Sequence, residues 1–254
     1  MATYKKRGYK PKTKKEKEEI VEDDSTTAEV FNTLDEGASR TEEWAVQNQK
    51  YIIGIVGAVA LVVLGYLGYN KIVAEPKAKD AMNEMYTAKT YFDEAVNGTS
   101  SDSLYRMSLE GGEGKYGMLD IISEYGGTPA ANQANYYAGM AYLNLKDYQN
   151  AITHLGDFSS DDKMLNPIAK GGIGDAFVQL EQPEEAIGYY EEAFKANTND
   201  FTTPLYLMKA ARVAIGLGQN EKALDYLTRI KSEFSASSEA KDADVLIGKV
   251  EASL

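Results

Sequence analysis

The run from Tyr51 to Tyr69, YIIGIVGAVALVVLGYLGY, contains no charged residue, and nothing else in the chain restricts its fold as strongly. As an α-helix this stretch spans about 28 Å, roughly one hydrocarbon thickness. It is expected to cross a bilayer, with a buried core helix as the alternative. Its flanks read as membrane interfaces, with Trp44 and Tyr51 at one end and Tyr66 and Tyr69 at the other. A cleaved leader does not fit. The run starts too far along the chain, is longer than a leader's apolar stretch, and has no small-x-small site just beyond it. Gly54, Gly57, Gly65 and Gly68 permit close approach to another helix, although no two of them are spaced as GxxxG.

Charge divides the chain around this run. Residues 1–50 carry 10 Lys/Arg and 11 Asp/Glu, and residues 71–254 carry 17 and 28. Orientation follows the basic residues. Lys5, Lys6, Arg7, Lys10, Lys12, Lys14, Lys15, Lys17, Arg40 and Lys50 precede the run, whereas only Lys71, Lys77 and Lys79 follow it closely. The expected topology places residues 1–50 in the cytoplasm as a tail, residues 51–69 in the membrane, and residues 77–254 outside. Within the tail, residues 4–19 are too polar to bury a core. Residues 26–36 place Val30, Phe31 and Leu34 on one helical stripe, and Ser39 with Glu42 fits a capping box. The acidic main domain disfavours nucleic acid, since phosphate binding needs a cationic face. Cysteine is absent, which removes disulfides, thiol nucleophiles and thiolate metal sites.

Beyond Pro76 the pattern is helical. Ala81, Met85, Ala88, Phe92 and Ala95 form one stripe over residues 77–96. A second stretch, 104–125, is interrupted at Glu110–Gly114. No alternating strand pattern is present, so the domain is expected to be all-α. Three segments then align: Asn135–Phe158, Lys170–Ala193 and Leu207–Ile230. Each pairs an Ala with a large residue four positions on: Ala151/Leu155, Ala186/Tyr190 and Ala223/Leu227. The spacings are 35 and 37 residues, close to the roughly 34 of a tetratricopeptide unit. The chain resembles the tetratricopeptide family here. The family's small helix-A position matches Gly139, Gly174 and Ala211, and its following aromatic matches Tyr142 and Phe177, with Ala214 a departure. Of the post-helix prolines only Pro167 is read, and the second and third copies are expected to lack one. Residues 77–125 would cap the array at one end. A closing helix over 236–254, with Ala240, Ala243, Val245, Leu246 and Val250, would cap the other. The expectation is eight to nine helices in a right-handed superhelix.

Catalytic patterns are poor. The sole histidine, His154, lacks a partner constellation and is expected at an exposed or edge position. Glu110–Gly117 is not a phosphate loop, because Leu109 stands where the first glycine belongs and Tyr116 where Ser or Thr belongs. Asp161–Asp162 and Glu184–Glu185 read as turn and helix-start residues. Asn97–Gly98–Thr99 matches an N-glycosylation pattern, and Asp102–Ser103–Leu104 resembles a Bacteroidetes-type O-glycosylation pattern. An unmodified loop is the default for both. The chain is read as a non-enzyme with no cofactor. By resemblance to peptide-binding repeats, the helix-A groove would be lined by Tyr136, Met140, Asp175, Gln179, Met208 and Arg212.

Over nearly its full length the chain resembles the YfgM-like family of ancillary subunits of the bacterial Sec translocon, in a Bacteroidetes-type version. The phrases ANYYAGMAYLNLKDYQNAITHL and IGDAFVQLEQPEEAIGYYEEA carry that resemblance. The long cytoplasmic tail departs from the family pattern. The resemblance implies a single-pass inner-membrane protein with a periplasmic domain. Its implied partners are the SecYEG translocon, a PpiD-like periplasmic chaperone and translocating polypeptides. The rival reading is a membrane-anchored scaffold for envelope or cell-wall assembly.

Overall fold

The computed structural model describes residues 43–98 and 101–252. The expected helix at 26–36 and the capping box at Ser39 and Glu42 lie outside the described residues. The chain falls into two units that divide between Tyr69 and Asn70. In the first unit, helix α1 runs Gln49–Tyr69 and buries no residue. It is long and apolar enough to cross a membrane.

The second unit opens on a π-helical turn, Asn70–Ala74, followed by α2, Glu75–Asn97. Pro76 sits in the first turn of α2, where a missing N–H costs nothing. The buried residues of α2 are Ala81, Met85, Ala88, Phe92 and Ala95, the stripe expected from spacing. They pack against Tyr105 and Leu109 of α3 (Ser101–Glu110), Met118 and Ile121 of α4 (Met118–Glu124), and Ala130, Ala134, Ala138 and Ala141 of α5 (Pro129–Asn144). Each large apolar side chain buried here is worth about 1.5–3 kcal/mol.

The break between α3 and α4 is sharper than an interrupted helix. Gly111, Glu113 and Gly114 all have positive φ, and Gly112 forms an isolated antiparallel bridge with Lys115. A Cβ on Gly111 would lie 2.2 Å from the Lys115 carbonyl oxygen, so only glycine fits. Residues 75–251 therefore hold ten α-helices, not eight to nine, because the glycine turn makes two helices from one expected stretch.

Three helical hairpins follow: α5 with α6 (Tyr148–Asp157), α7 (Leu165–Gln179) with α8 (Pro183–Ala196), and α9 (Thr202–Gly216) with α10 (Asn220–Glu233). Helix α11 (Glu239–Glu251) closes the array. Each hairpin turns in the same way. After Leu145, Leu180 and Leu217, the next residue is left-handed: Lys146 at φ 64°, Glu181 at 59° and Gly218 at 71°. The residue after that donates its N–H back into the helix, Asp147 to Tyr142, Gln182 to Phe177 and Gln219 to Ala214, at 2.8–2.9 Å. This is a Schellman closure, which satisfies the last carbonyls of helix A.

Two expectations are corrected by these helices. Pro204 stands at the third position of α9, as Pro167 does in α7, so the second unit does have its proline. Val245 of the closing helix is 73% exposed, while Ala243 and Val250 carry its buried face. Four of the hairpin helices begin with recognisable chemistry. Thr128 caps α5 ahead of Pro129, and Asp147 caps α6. Asp162 accepts the N–H groups of Met164 and Leu165 at the start of α7. Glu184 and Glu185 fill the first turn of α8.

Candidate functional site

The seam inside each hairpin is built from the pairs visible in the sequence. A Cβ on Gly139 would stand 2.5 Å from Leu155 Cγ, and one on Gly174 would stand 2.6 Å from Tyr190 Cε1. The small residue of helix A thus receives the large residue of helix B. Ala211 and Leu227, at the equivalent positions of the third hairpin, are both fully buried in one core cluster. Contact at this spacing brings the helices close enough for dispersion to act along the whole seam.

Between the second and third hairpins the packing is tighter still. Tyr206 of α9 lies over Gly171 of α7, where a Cβ would come within 1.9 Å of Tyr206 Cε1. Its ring stacks on Tyr190 at 6.2 Å. Tyr190 donates its hydroxyl to Asp175 Oδ1 at 2.7 Å, and Lys209 reaches both Asp175 oxygens at 2.7 Å. Burial, then the nearby Asp175 carboxylate, push the phenols of Tyr190 and Tyr206 far above their ordinary range. A second junction gathers on Glu191 of α8. It pairs with Lys195 and Lys222 and accepts from Tyr226 Oη. Burial opposes its charge, but those three hydrogen bonds outweigh burial and hold its pKa at about 2.

The six expected groove residues are distributed along helices α5, α7 and α9. Tyr136 is half-buried against Phe158, with ring centroids 5.2 Å apart, and Met140 lies beside Gly172. Asp175 is committed to Tyr190 and Lys209. Gln179 is exposed and accepts from Tyr148 Oη at 3.4 Å. Met208 is buried, and Arg212 is exposed in a 2.9 Å ion pair with Asp242 of α11. Met208 and Arg212 meet in one concavity. This is a cleft of about 250 Å³ between α9 and α11, shared with Leu205, Lys209, Glu239 and Asp242. Its floor is apolar and its rim carries both signs of charge. In the first unit, Trp44, Tyr51, Tyr66 and Tyr69 are 60–75% exposed.

His154 is half-buried rather than exposed. Its Nδ1 lies 2.9 Å from Asn135 Oδ1 and its ring stacks on Tyr142 at 5.5 Å. Burial lowers its pKa, with Asp157 pulling the other way. Sequence reasoning passed over Lys209, Tyr206 and Glu191. A signal was available, because Asp175–Lys209 and Glu191–Tyr226 are 34 and 35 residues apart, one repeat length. Equivalent helix faces in successive hairpins are neighbours, so opposite charges at that separation meet.

Two tetratricopeptide repeat families match the chain, one over residues 172–239 and the other over residues 133–161. These spans cover the second and third hairpins and the first hairpin respectively. No curated protein matches the chain. The all-α hairpin architecture agrees with the family matches, and folds of this kind are typically non-catalytic scaffolds. The chain therefore carries tetratricopeptide repeats, and with them the build of a protein-interaction scaffold.

Proposed function

We propose that the chain is a membrane-anchored tetratricopeptide scaffold and chaperone partner at the periplasmic exit of the Sec translocon, assisting newly translocated polypeptides. The observation that carries the anchoring is α1, a 21-residue helix with no buried residue, ahead of a folded repeat array. A globular chain has no reason to expose such a face to water. In this reading residues 1–50 are the cytoplasmic tail, 51–69 the span and 77–254 the periplasmic domain. Trp44, Tyr51, Tyr66 and Tyr69 sit at the headgroups. Tethering raises the local concentration of the repeat array beside an emerging chain without tight contacts. Tyr136, Met140, Gln179 and Arg212 offer adaptable contacts along the helix-A face, with buried Met208 beneath Arg212. The α9–α11 cleft, with its apolar floor, suits one side chain of an extended partner segment.

The translocon assignment rests on the family resemblance of the sequence, which also implies SecYEG and a PpiD-like chaperone as partners. The test is purification of the full-length protein in mild detergent, followed by mass spectrometry of what co-purifies. Recovery of translocon subunits, weakened by Arg212→Asp, is the expected result. Recovery of envelope-assembly proteins with no translocon subunit would replace this reading with the rival one.

A further inference from the structure

We propose that the repeat array bends at one place, the connector at Ser160 and Asp161 between the first and second hairpins. The two inter-hairpin seams are unequal. Across the second seam, α7/α8 against α9/α10, Lys209 binds Asp175, and Lys222 and Tyr226 bind Glu191. Arg229 lies over the Phe194 ring at 5.5 Å, and Tyr206 stacks on Tyr190. Across the first seam, α5/α6 against α7/α8, the only polar link among the described residues is Tyr148 to Gln179 at 3.4 Å, at the edge of a real hydrogen bond.

The fully buried apolar side chains are grouped unequally about the two seams. One large buried cluster runs from Ala186 in α8 through α9 and α10 to Ala243, and another from α2 to Ala141 in α5. Between them the fully buried link is Leu155, Ala169 and Ile173, bordered by half-buried side chains such as Met140, Phe158 and Phe177. The mode of contact differs too. At the second seam a buried ring lies on the Gly171 backbone. At the first seam the atoms nearest a Cβ on Gly172 belong to the flexible side chains of Leu155, Leu143 and Met140, which change rotamer cheaply.

The connector is tied on both sides of its middle. Asn132 holds Ser159, donating to its carbonyl at 2.8 Å and accepting its N–H at 3.0 Å, which fixes that end to α5. Asp162 caps α7, which fixes the other end. Between these ties Ser160 makes one exposed local bond, its Oγ accepting the Asp162 N–H at 3.0 Å, and Ser160 and Asp161 can absorb a rotation between two better-packed bodies, as expected of a hinge. Bending there changes the distance from Tyr136 and Met140 to Asp175 and Gln179, and so the width of the helix-A face.

Because the chain has no cysteine, introduced pairs label uniquely. Spin labels at Ser123→Cys and Glu184→Cys straddle the first seam, and labels at Glu184→Cys and Lys241→Cys straddle the second. Electron–electron resonance on the full chain in lipid nanodiscs should show a distance distribution about 2-fold broader for the first pair. Adding Asp175→Asn and Glu191→Gln should broaden the second pair toward the first. Equal widths in the parent background, or a second pair that stays narrow in a folded Asp175→Asn, Glu191→Gln protein, would overturn the hinge.

Discussion

Replacing Gly171 by Ala tests how the second and third hairpins interlock. In a helix interior this exchange by itself gains about 1 kcal/mol, since Ala loses less backbone entropy. Here the new Cβ would lie 1.9 Å from Tyr206 Cε1, 2.1 Å from Cζ and 2.5 Å from the hydroxyl, where ordinary contact begins at 3.4 Å. The ring has to retreat by about 1.5 Å, well beyond the few tenths of an ångström that packed side chains give up cheaply. Tyr206 is 4% exposed and held between Tyr190 and Lys209, so it cannot retreat without opening the seam. Overpacking of that kind costs up to about 3 kcal/mol, leaving a net loss of about 2 kcal/mol after the propensity gain. For a domain of this size that lowers the melting temperature by about 4–8 °C. Gly188→Ala is the matched control. It lies in α8 with nothing within 4 Å of its Cβ position, so only the propensity gain remains. Its melting temperature should rise by about 2–4 °C. Far-UV circular dichroism melts of both variants decide the matter. If Gly171→Ala melts at or above the parent, the ring-over-glycine interlock does not hold the seam.

Four further outcomes follow from the same structure. The folded pKa of Glu191 lies below its ordinary 4.5, at about 2. Its stabilisation is therefore complete above about pH 4.5 and is lost as pH falls toward 2. Glu191→Gln should lower stability at neutral pH and flatten that part of the denaturant-midpoint profile. His154 is held neutral by burial, so its stabilisation is complete above its ordinary pKa of 6.5 and shrinks as pH falls below it. Its imidazole resonances should titrate below that value, and a midpoint at or above 6.5 would contradict the packing on Tyr142. At the hairpin turns, Glu181→Gly should stabilise by about 0.5–1 kcal/mol by relieving a left-handed side-chain residue, and Gly218→Ala should destabilise by about 1 kcal/mol. Urea midpoints would check both. Arg at both Val59 and Leu61 should cost about 5 kcal/mol of insertion and release the protein from carbonate-washed membranes. Retention of that variant would count against α1 as the anchor.

The local features of the fold were legible because they depend on period and spacing. The α2 stripe Ala81, Met85, Ala88, Phe92 and Ala95 appears as read. The small-residue positions Gly139 and Gly174 meet Leu155 and Tyr190 as the repeat pattern requires, and Ala211 and Leu227 are buried in one cluster. Where legibility failed, a contact from another helix was involved. His154 is covered by Tyr142 and Asn135 from α5. Val245 points away from a face that Ala243 and Val250 already fill. The second repeat's proline was missed because α8, at 14 residues against 10 for α6, sets Pro204 later in its repeat, and only its place in α9 shows the equivalence with Pro167.

The sequence by itself determined an uncharged helix of bilayer length, an all-α array and the three hairpins, since each is encoded by residues within about one repeat of one another. Tertiary structure alone decided which polar groups are occupied. Asp175 reads as a free groove acid in the chain, yet it is consumed by Tyr190 and Lys209. Only the tertiary packing shows that one seam is stapled and the other is not. The physical reason is that a side chain's availability depends on what the neighbouring hairpin places against it, and a one-dimensional pattern gives spacing without giving contact.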